Sequence, residues 1–154
     1  MTRYTEVSIS ILTVCVANIC RSPMAEGLLH LQLPALEITS AGLDAAIGCG
    51  ADPYVLDLMR SRGIDLAMHR ARQLLSLHCR QADLILVMEE VHRHAIERCY
   101  PFARGRVFRI GQFGSFDVPD PSGGEPRQFD GCLDLIEQGV EDWVARIHTL
   151  FAPS

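Results

Sequence analysis

The chain of 154 residues has no lysine: its 14 basic residues are all arginine, an absence that by itself marks composition rather than function. It also lacks an excess of positive charge. The 19 acidic residues leave a formal net charge of −5, which argues against nucleic acid or an anionic membrane surface as a partner. No apolar run approaches the ~18 residues of a membrane span, so no membrane insertion is expected. None of the six cysteines, at 15, 20, 49, 79, 99 and 132, forms a C-x-x-C pair. That argues against a zinc site, and no metal is expected. No G-x-G-x-x-G follows a strand-like run, which argues against a dinucleotide site, and no other cofactor is called for. No repeat, linker or low-complexity tract divides the chain, and its length suits a single domain over residues 1–154.

What is present is an ordinary globular balance, 48% apolar and 21% charged. The opening "MTRYTEVSISILTVCVAN" has the look of a signal peptide. Ser8, Ser10 and Thr13 interrupt its apolar run in a near-alternating, strand-like way, and cleavage there would remove the most informative motif. The signal reading is therefore set aside, and the cysteines are expected as reduced thiols in a cytoplasm.

Residues 7 to 14 read as a first strand. Ser22 reads as a helix cap with Pro23 in the first turn, and the helix runs through Met24, Leu28 and Leu31 to stop before Pro34. A short strand is expected near 36 to 40. Asp52-Pro53 repeats the cap-plus-proline pattern; Val55, Leu58, Met59 and Arg62 follow at helical spacing, and Gly63 ends the helix. "ADLILVM", 82 to 88, is a continuous apolar run of the kind a strand buried on both faces carries. A helix over 89–99 and a strand over 106–110 come next. The Gly- and Pro-rich segment 111–126 reads as a long functional loop. Leu133, Ile136, Val140, Trp143, Ile147 and Leu150 stripe a last helix. Strands alternating with helices predict an α/β three-layer sandwich, with a roughly four-stranded parallel sheet flanked by helices.

The stretch "TVCVANICRSPMAEG", 13 to 27, sits where the first strand hands over to the first helix. Ligands of such sheets bind beyond the carboxyl ends of the strands. Backbone N–H groups of the loop 15–21, together with a helix N-terminus, would make an anion cradle that fits a tetrahedral phosphate. Arg21 closes it, because a guanidinium can grip two phosphate oxygens at once. Cys15 lies at its base, where the same N–H groups favour a thiolate, a nucleophile facing the phosphoryl group.

"CVANICRSPMAEG" resembles the phosphate-binding signature of the low-molecular-weight protein tyrosine phosphatases. "SAG" (40–42), "ADP" (51–53), "HRARQL" (69–74), "ADLILVM" (82–88) and "DVPDP" (117–121) resemble that family's later blocks, in order. The branch associated with bacterial exopolysaccharide export looks most similar. The resemblance implies the family's flavodoxin-like winding and hydrolysis of phosphotyrosine through a cysteinyl-phosphate. It makes Cys15 the nucleophile and Arg21 the group that binds phosphate and steadies the transition state. Val16, Ala17, Asn18, Ile19, Cys20 and Ser22 complete the phosphate loop, with Asn18 shaping it and Ser22 donating to the thiolate. Asp120 is implied as the general acid, and Asp117 is its rival by spacing. A phenolate leaves faster when protonated, which calls for such an acid independently. Cys20 is implied as a resolving thiol for oxidised Cys15. The implied partner is a tyrosine-phosphorylated protein, a bacterial tyrosine kinase of exopolysaccharide synthesis or export.

The chain departs from the pattern at several positions. Ala17 replaces a common glycine and would be strained if that position needs φ > 0. Ser122 stands where many members carry an aromatic. Ala46 and Ile47 lie where some relatives have tryptophan, leaving Phe113, Phe116 or Tyr54 to wall a substrate ring. His69 is a candidate to support the loop through Ser22. His92 and His94 are two apart on a helix and poorly placed to share a metal. Two rival functions are a thiol-coupled arsenate reductase and a non-catalytic phosphate-binding module on the same fold. The reductase needs a further close pair of redox cysteines, whereas Cys79 and Cys99 are twenty residues apart.

Overall fold

The computed structural model describes residues 9–151. The expectations for Val7 and Ser8 at the start of the first strand lie outside the described residues. Strands β1 (Ser10–Cys15), β2 (Glu37–Gly42), β3 (Leu84–Val87) and β4 (Val107–Arg109) form one sheet in the order β2-β1-β3-β4. Every neighbouring pair is parallel. The chain enters in the middle, steps outward to β2, then returns to the other side of β1. The winding therefore reverses between β1 and β3, and a crevice opens beyond their carboxyl ends.

Period-two alternation splits the apolar runs of the inner strands between two cores. Ile11 and Cys15 of β1, with Leu86 and Met88 from the "ADLILVM" run, face one core. That core is completed by α1 (Arg21–Gln32), α2 (Pro53–Ser61) and α5 (Pro126–Phe151). Leu12, Val14, Ile85 and Val87 face the other, beneath α3 (Ser76–Gln81) and α4 (Glu90–Cys99). This is the three-layer α/β arrangement expected from the alternation of elements.

Local chemistry sets the ends of these elements. Asp52 caps α2, its Oδ1 accepting from Tyr54 N at 2.9 Å, and Gly63 follows the helix at φ 77°. The α1 cap differs from expectation. Cys20 occupies the N-cap position without a side-chain cap bond, because the Ser22 hydroxyl is turned toward Cys15 and Asn18 instead. Thr13, the polar break in the first apolar run, is wholly buried, and its Oγ1 donates to the Ser22 carbonyl at 2.9 Å. The residue that interrupts the run thus fastens β1 to the first turn of α1. Along α5, Leu133, Ile136, Val140, Trp143 and Ile147 are buried, whereas Leu150 is 66% exposed. The stripe runs beyond the end of the core it serves.

Candidate active site

The loop between β1 and α1 is held from outside by its carbonyls. Leu43 N donates to Cys15 O, Asp44 N to Val16 O, Ala46 N to Ala17 O and Asp52 N to Ile19 O, all at 2.8–3.0 Å. His69 Nε2 is 2.7 Å from Asn18 O and must donate, since a carbonyl only accepts. Met24 N takes Cys20 O at 3.2 Å. The N–H groups of residues 16 to 20, by contrast, meet no acceptor among the described residues. Backbone donors are obligatory hydrogen-bonding groups. With every carbonyl drawn outward, these donors are left for an anion in the concavity.

Asn18 makes that geometry possible. It sits at φ 60°, in the left-handed region that asparagine tolerates better than most residues. Its Oδ1 accepts from Arg72 N at 2.9 Å, and its Nδ2 donates to Ser22 Oγ at 2.8 Å and to Ser40 Oγ at 3.0 Å. Ala17 is not among the residues with positive φ. The strain anticipated there does not arise, because the left-handed turn falls one residue later. His69 supports the loop, but through the Asn18 carbonyl rather than through Ser22.

Cys15 is buried, with its Sγ 3.0 Å from Ser22 Oγ. Ser22 Oγ already accepts from Asn18 Nδ2, so the hydroxyl proton is available to the sulfur. Sulfur accepts that bond more strongly as an anion than as a thiol. Gly42, the last residue of the "SAG" block, owes its identity to this corner: a Cβ there would lie 2.4 Å from Val16 O and 3.0 Å from the Asn18 Cβ.

Arg21 is only 2% exposed. Its Nη1 donates to Glu89 Oε2 at 2.6 Å and to Val118 O at 2.9 Å. Both Nη1 hydrogens are thereby taken, which leaves Nε and Nη2, an edge matched to two oxygens of one anion. Val118 also donates its N–H to Met88 O at 2.8 Å, which ties the 111–125 loop to the end of the sheet.

Two residues further, Asp120 Oδ2 lies 3.9 Å from Arg21 Nη2, with its side chain about half exposed. Burial pushes this carboxyl up. The hydrogen bonds from Ser122 and the charges of Arg21 and His92 outweigh it and hold the carboxyl below the ordinary aspartate range. Ser122 N is 2.9 Å from Asp120 Oδ1. The rival Asp117 faces elsewhere: its Oδ1 accepts from Glu90 N at 3.0 Å and from Arg109 Nη1 at 3.1 Å.

Cys20 is buried against Cys132 of α5, and all six cysteines are free thiols. A hydrogen bond with Cys132, and then burial, push the Cys20 thiol far above its ordinary range. Of the candidate wall aromatics, Phe113 packs edge-on against Trp143 at 4.8 Å, and Phe116 packs against the first core. Tyr54, half exposed at the start of α2, packs tilted against Phe129 with ring centroids 5.2 Å apart. His92 is buried and His94 largely exposed, on different faces as their spacing implies. Among the described residues, no group of three or more His, Cys, Asp or Glu could hold a metal ion. Glu89 joins the site without having been singled out in the sequence, and Ser40 and Arg72 join it from blocks quoted there without a role of their own.

A parallel α/β sheet with an amide-lined loop at its switch point, carrying a cysteine and an arginine, defines a class of phosphate-ester-handling proteins. The model of the low molecular weight phosphotyrosine protein phosphatase family matches residues 10–150, and the chain belongs to that family. The probable low molecular weight protein-tyrosine-phosphatase EpsP of Ralstonia nicotianae is 43% identical over 141 residues, which are 92% of this chain and 97% of that one. Among solved structures, the tyrosine phosphatase Wzb of Escherichia coli K30 in complex with sulphate superposes with a TM-score of 0.87 at 37% identity, covering 92% of this chain and 99% of that one. The YwlE arginine phosphatase of Geobacillus stearothermophilus gives a TM-score of 0.86 at 35% identity, covering 92% and 94%.

Proposed function

We infer that the chain is a protein-tyrosine phosphatase acting through a cysteinyl-phosphate, with Cys15 as nucleophile, Arg21 as phosphate clamp and Asp120 as general acid. The observation that carries this reading is that the N–H groups of residues 16 to 20, in the loop that starts at Cys15, meet no acceptor among the described residues, while the Asp120 carboxylate lies 3.9 Å from Nη2 of Arg21. The phosphoryl oxygens occupy the N–H groups and the Nε and Nη2 of Arg21. The Cys15 thiolate attacks phosphorus while Asp120 protonates the departing phenolate oxygen. Asp120, now a carboxylate, takes a proton from the water that attacks the cysteinyl-phosphate, and orthophosphate leaves. Cys20 has the part of a resolving thiol for oxidised Cys15, one that must first give up its contact with Cys132.

From the resemblance to the exopolysaccharide-associated branch, the protein acted on is a tyrosine-phosphorylated bacterial kinase. No helix among the described residues is long and apolar enough to cross a membrane. The likeness to an arginine phosphatase makes phosphoarginine, a phosphoramidate, the second substrate to assay. The test is steady hydrolysis of p-nitrophenyl phosphate and of a phosphotyrosine peptide. Turnover is expected in the wild type and is expected to vanish in Cys15→Ser. Undiminished turnover in that variant would exclude the mechanism, and faster hydrolysis of phosphoarginine than of the peptide would reassign the substrate.

A further inference from the structure

Arg21 can present Nε and Nη2 to an anion only while something keeps its Nη1 in place. Glu89 Oε2 is the charged group that does so, at 2.6 Å. Glu89 is itself a flexible side chain, 28% exposed, on the residue just before α4. Unheld, it would keep that position poorly, because ordering its side chain opposes rotamer entropy.

One turn further along α4 lies His92, with its side chain 6% exposed. Its Nδ1 is 3.2 Å from Glu89 N and must accept, because a backbone N–H only donates. The neutral ring then carries its proton on Nε2, and Nε2 lies 3.4 Å from Glu89 Oε2, the oxygen that takes Arg21. Burial, and then the Arg21 charge, lower the proton affinity of the ring; Glu89, Asp117 and Asp120 oppose this without reversing it. The ring thus has two ends, one accepting from the backbone at the start of α4 and the other lying beside the carboxylate, within reach of it.

We propose that His92 is a positioning residue for Arg21, acting through Glu89: its Nε2–H keeps the carboxylate on Nη1 so that Nε and Nη2 stay turned to the oxyanion. This rests on the reading of Arg21 as the phosphate clamp. A purely structural role, closing the first turn of α4, involves only Nδ1. Two substitutions separate the ends. In His92→Asn the amide oxygen falls near the place of Nδ1 and retains the turn, while nothing reaches the place of Nε2. In His92→Gln the amide nitrogen reaches toward the carboxylate, while the turn is lost.

The experiment measures KM and kcat for p-nitrophenyl phosphate, orthophosphate affinity by calorimetry, and melting temperature, for both variants and for each combined with Glu89→Gln. His92→Asn is expected to weaken orthophosphate binding and raise KM about three- to tenfold, with kcat changed less and melting little changed. His92→Gln is expected to recover most of that affinity while melting lower. Adding Glu89→Gln to His92→Asn is expected to weaken binding no further than Glu89→Gln alone. Wild-type orthophosphate affinity in His92→Asn, or full additivity with Glu89→Gln, would overturn the proposal. If His92→Asn does not fold, a His92→Gln variant that loses orthophosphate affinity, with the loss adding in full to that of Glu89→Gln, overturns it equally. A wild-type protein that neither binds orthophosphate nor turns over the ester would instead sink the reading of the site itself.

Discussion

Asp117 and Asp120 are three residues apart in one loop, and their surroundings divide the labour between them. Asp117 is tied to Arg109 and to the start of α4, whereas Asp120 stands near the open edge of Arg21. Asp120→Asn is expected to lower kcat for an aryl phosphate by about 10²- to 10⁴-fold. Asp117→Asn is expected to lower melting with a far smaller loss of turnover, and the reverse ranking would exchange their roles. The sign of the Asp120 shift gives a second measurement. In the free protein the carboxyl is held below the ordinary aspartate range. A bound phosphate offsets the Arg21 charge and brings its own negative charge, both of which favour the protonated acid. Between the two titration points, binding must therefore draw a proton onto the carboxyl. Calorimetry in buffers of different ionisation enthalpy is expected to show more proton uptake in the wild type than in Asp120→Asn as pH falls toward the carboxylate range. That Arg21 and Asp120 would lie near one another beside the loop that starts at Cys15 was legible in the residue identities, because motif and chemistry agree. Which loop residue turns left-handed stays open in the sequence at Ala17, because φ at each loop position depends on outside donors such as His69 and Arg72, whose contacts span 51 and 54 residues.

Among the elements, α5 carries two glycines whose settings are opposite. Gly131 is exposed, and a Cβ there would meet nothing within 4 Å. Gly139 faces β4's end, where a Cβ would lie 2.6 Å from Ile110 O. Gly131→Ala is expected to stabilise the fold by about 0.5–1 kcal/mol, as alanine does in an exposed helix interior. Gly139→Ala is expected to destabilise despite the same gain in propensity, because backbone must move to admit the methyl group. Denaturant midpoints read both, and a Gly139→Ala midpoint at or above the wild type would refute the close-approach account. The stripe of α5 was legible from spacing and β3 from its continuous apolar run, whereas α1 was legible from the prolines at its two ends, its Leu31 being exposed. The six-residue α3 and the 3-10 turn Pro101–Ala103 were not. They are too short to show a period, and they exist because Cys79 and Ala103 are buried in the second core. The Ser22 cap was misread because its hydroxyl had a stronger claim on it, the Cys15 sulfur.

For the molecule as a whole, a cradle that only the folded loop forms, and whose N–H groups meet no acceptor among the described residues, makes the folded state the one that holds phosphate. Ligand that binds only the folded chain stabilises it in proportion to the logarithm of its concentration over Kd. At a hundredfold excess over Kd the gain is about 2.7 kcal/mol, or roughly 5–10 °C in melting for a chain of this length. Orthophosphate is expected to raise the melting temperature by that amount, whereas chloride at equal ionic strength is not; equal shifts would reduce the effect to one of general salt. The formal net charge of −5 makes the contrast sharper, since anions gain nothing from the average field of the protein and must be held locally.

The donors that draw the loop carbonyls outward come from residues 43, 44, 46, 52 and 69, all later in the chain than the loop they shape. The first 32 residues, up to the end of α1, can form a strand and a helix yet cannot form a working cradle on their own. A nascent or partly refolded chain is therefore expected to be inert toward phosphate esters until residues 43 to 69 have docked. Recovery of turnover after dilution from denaturant thus reports a late assembly event rather than the appearance of secondary structure.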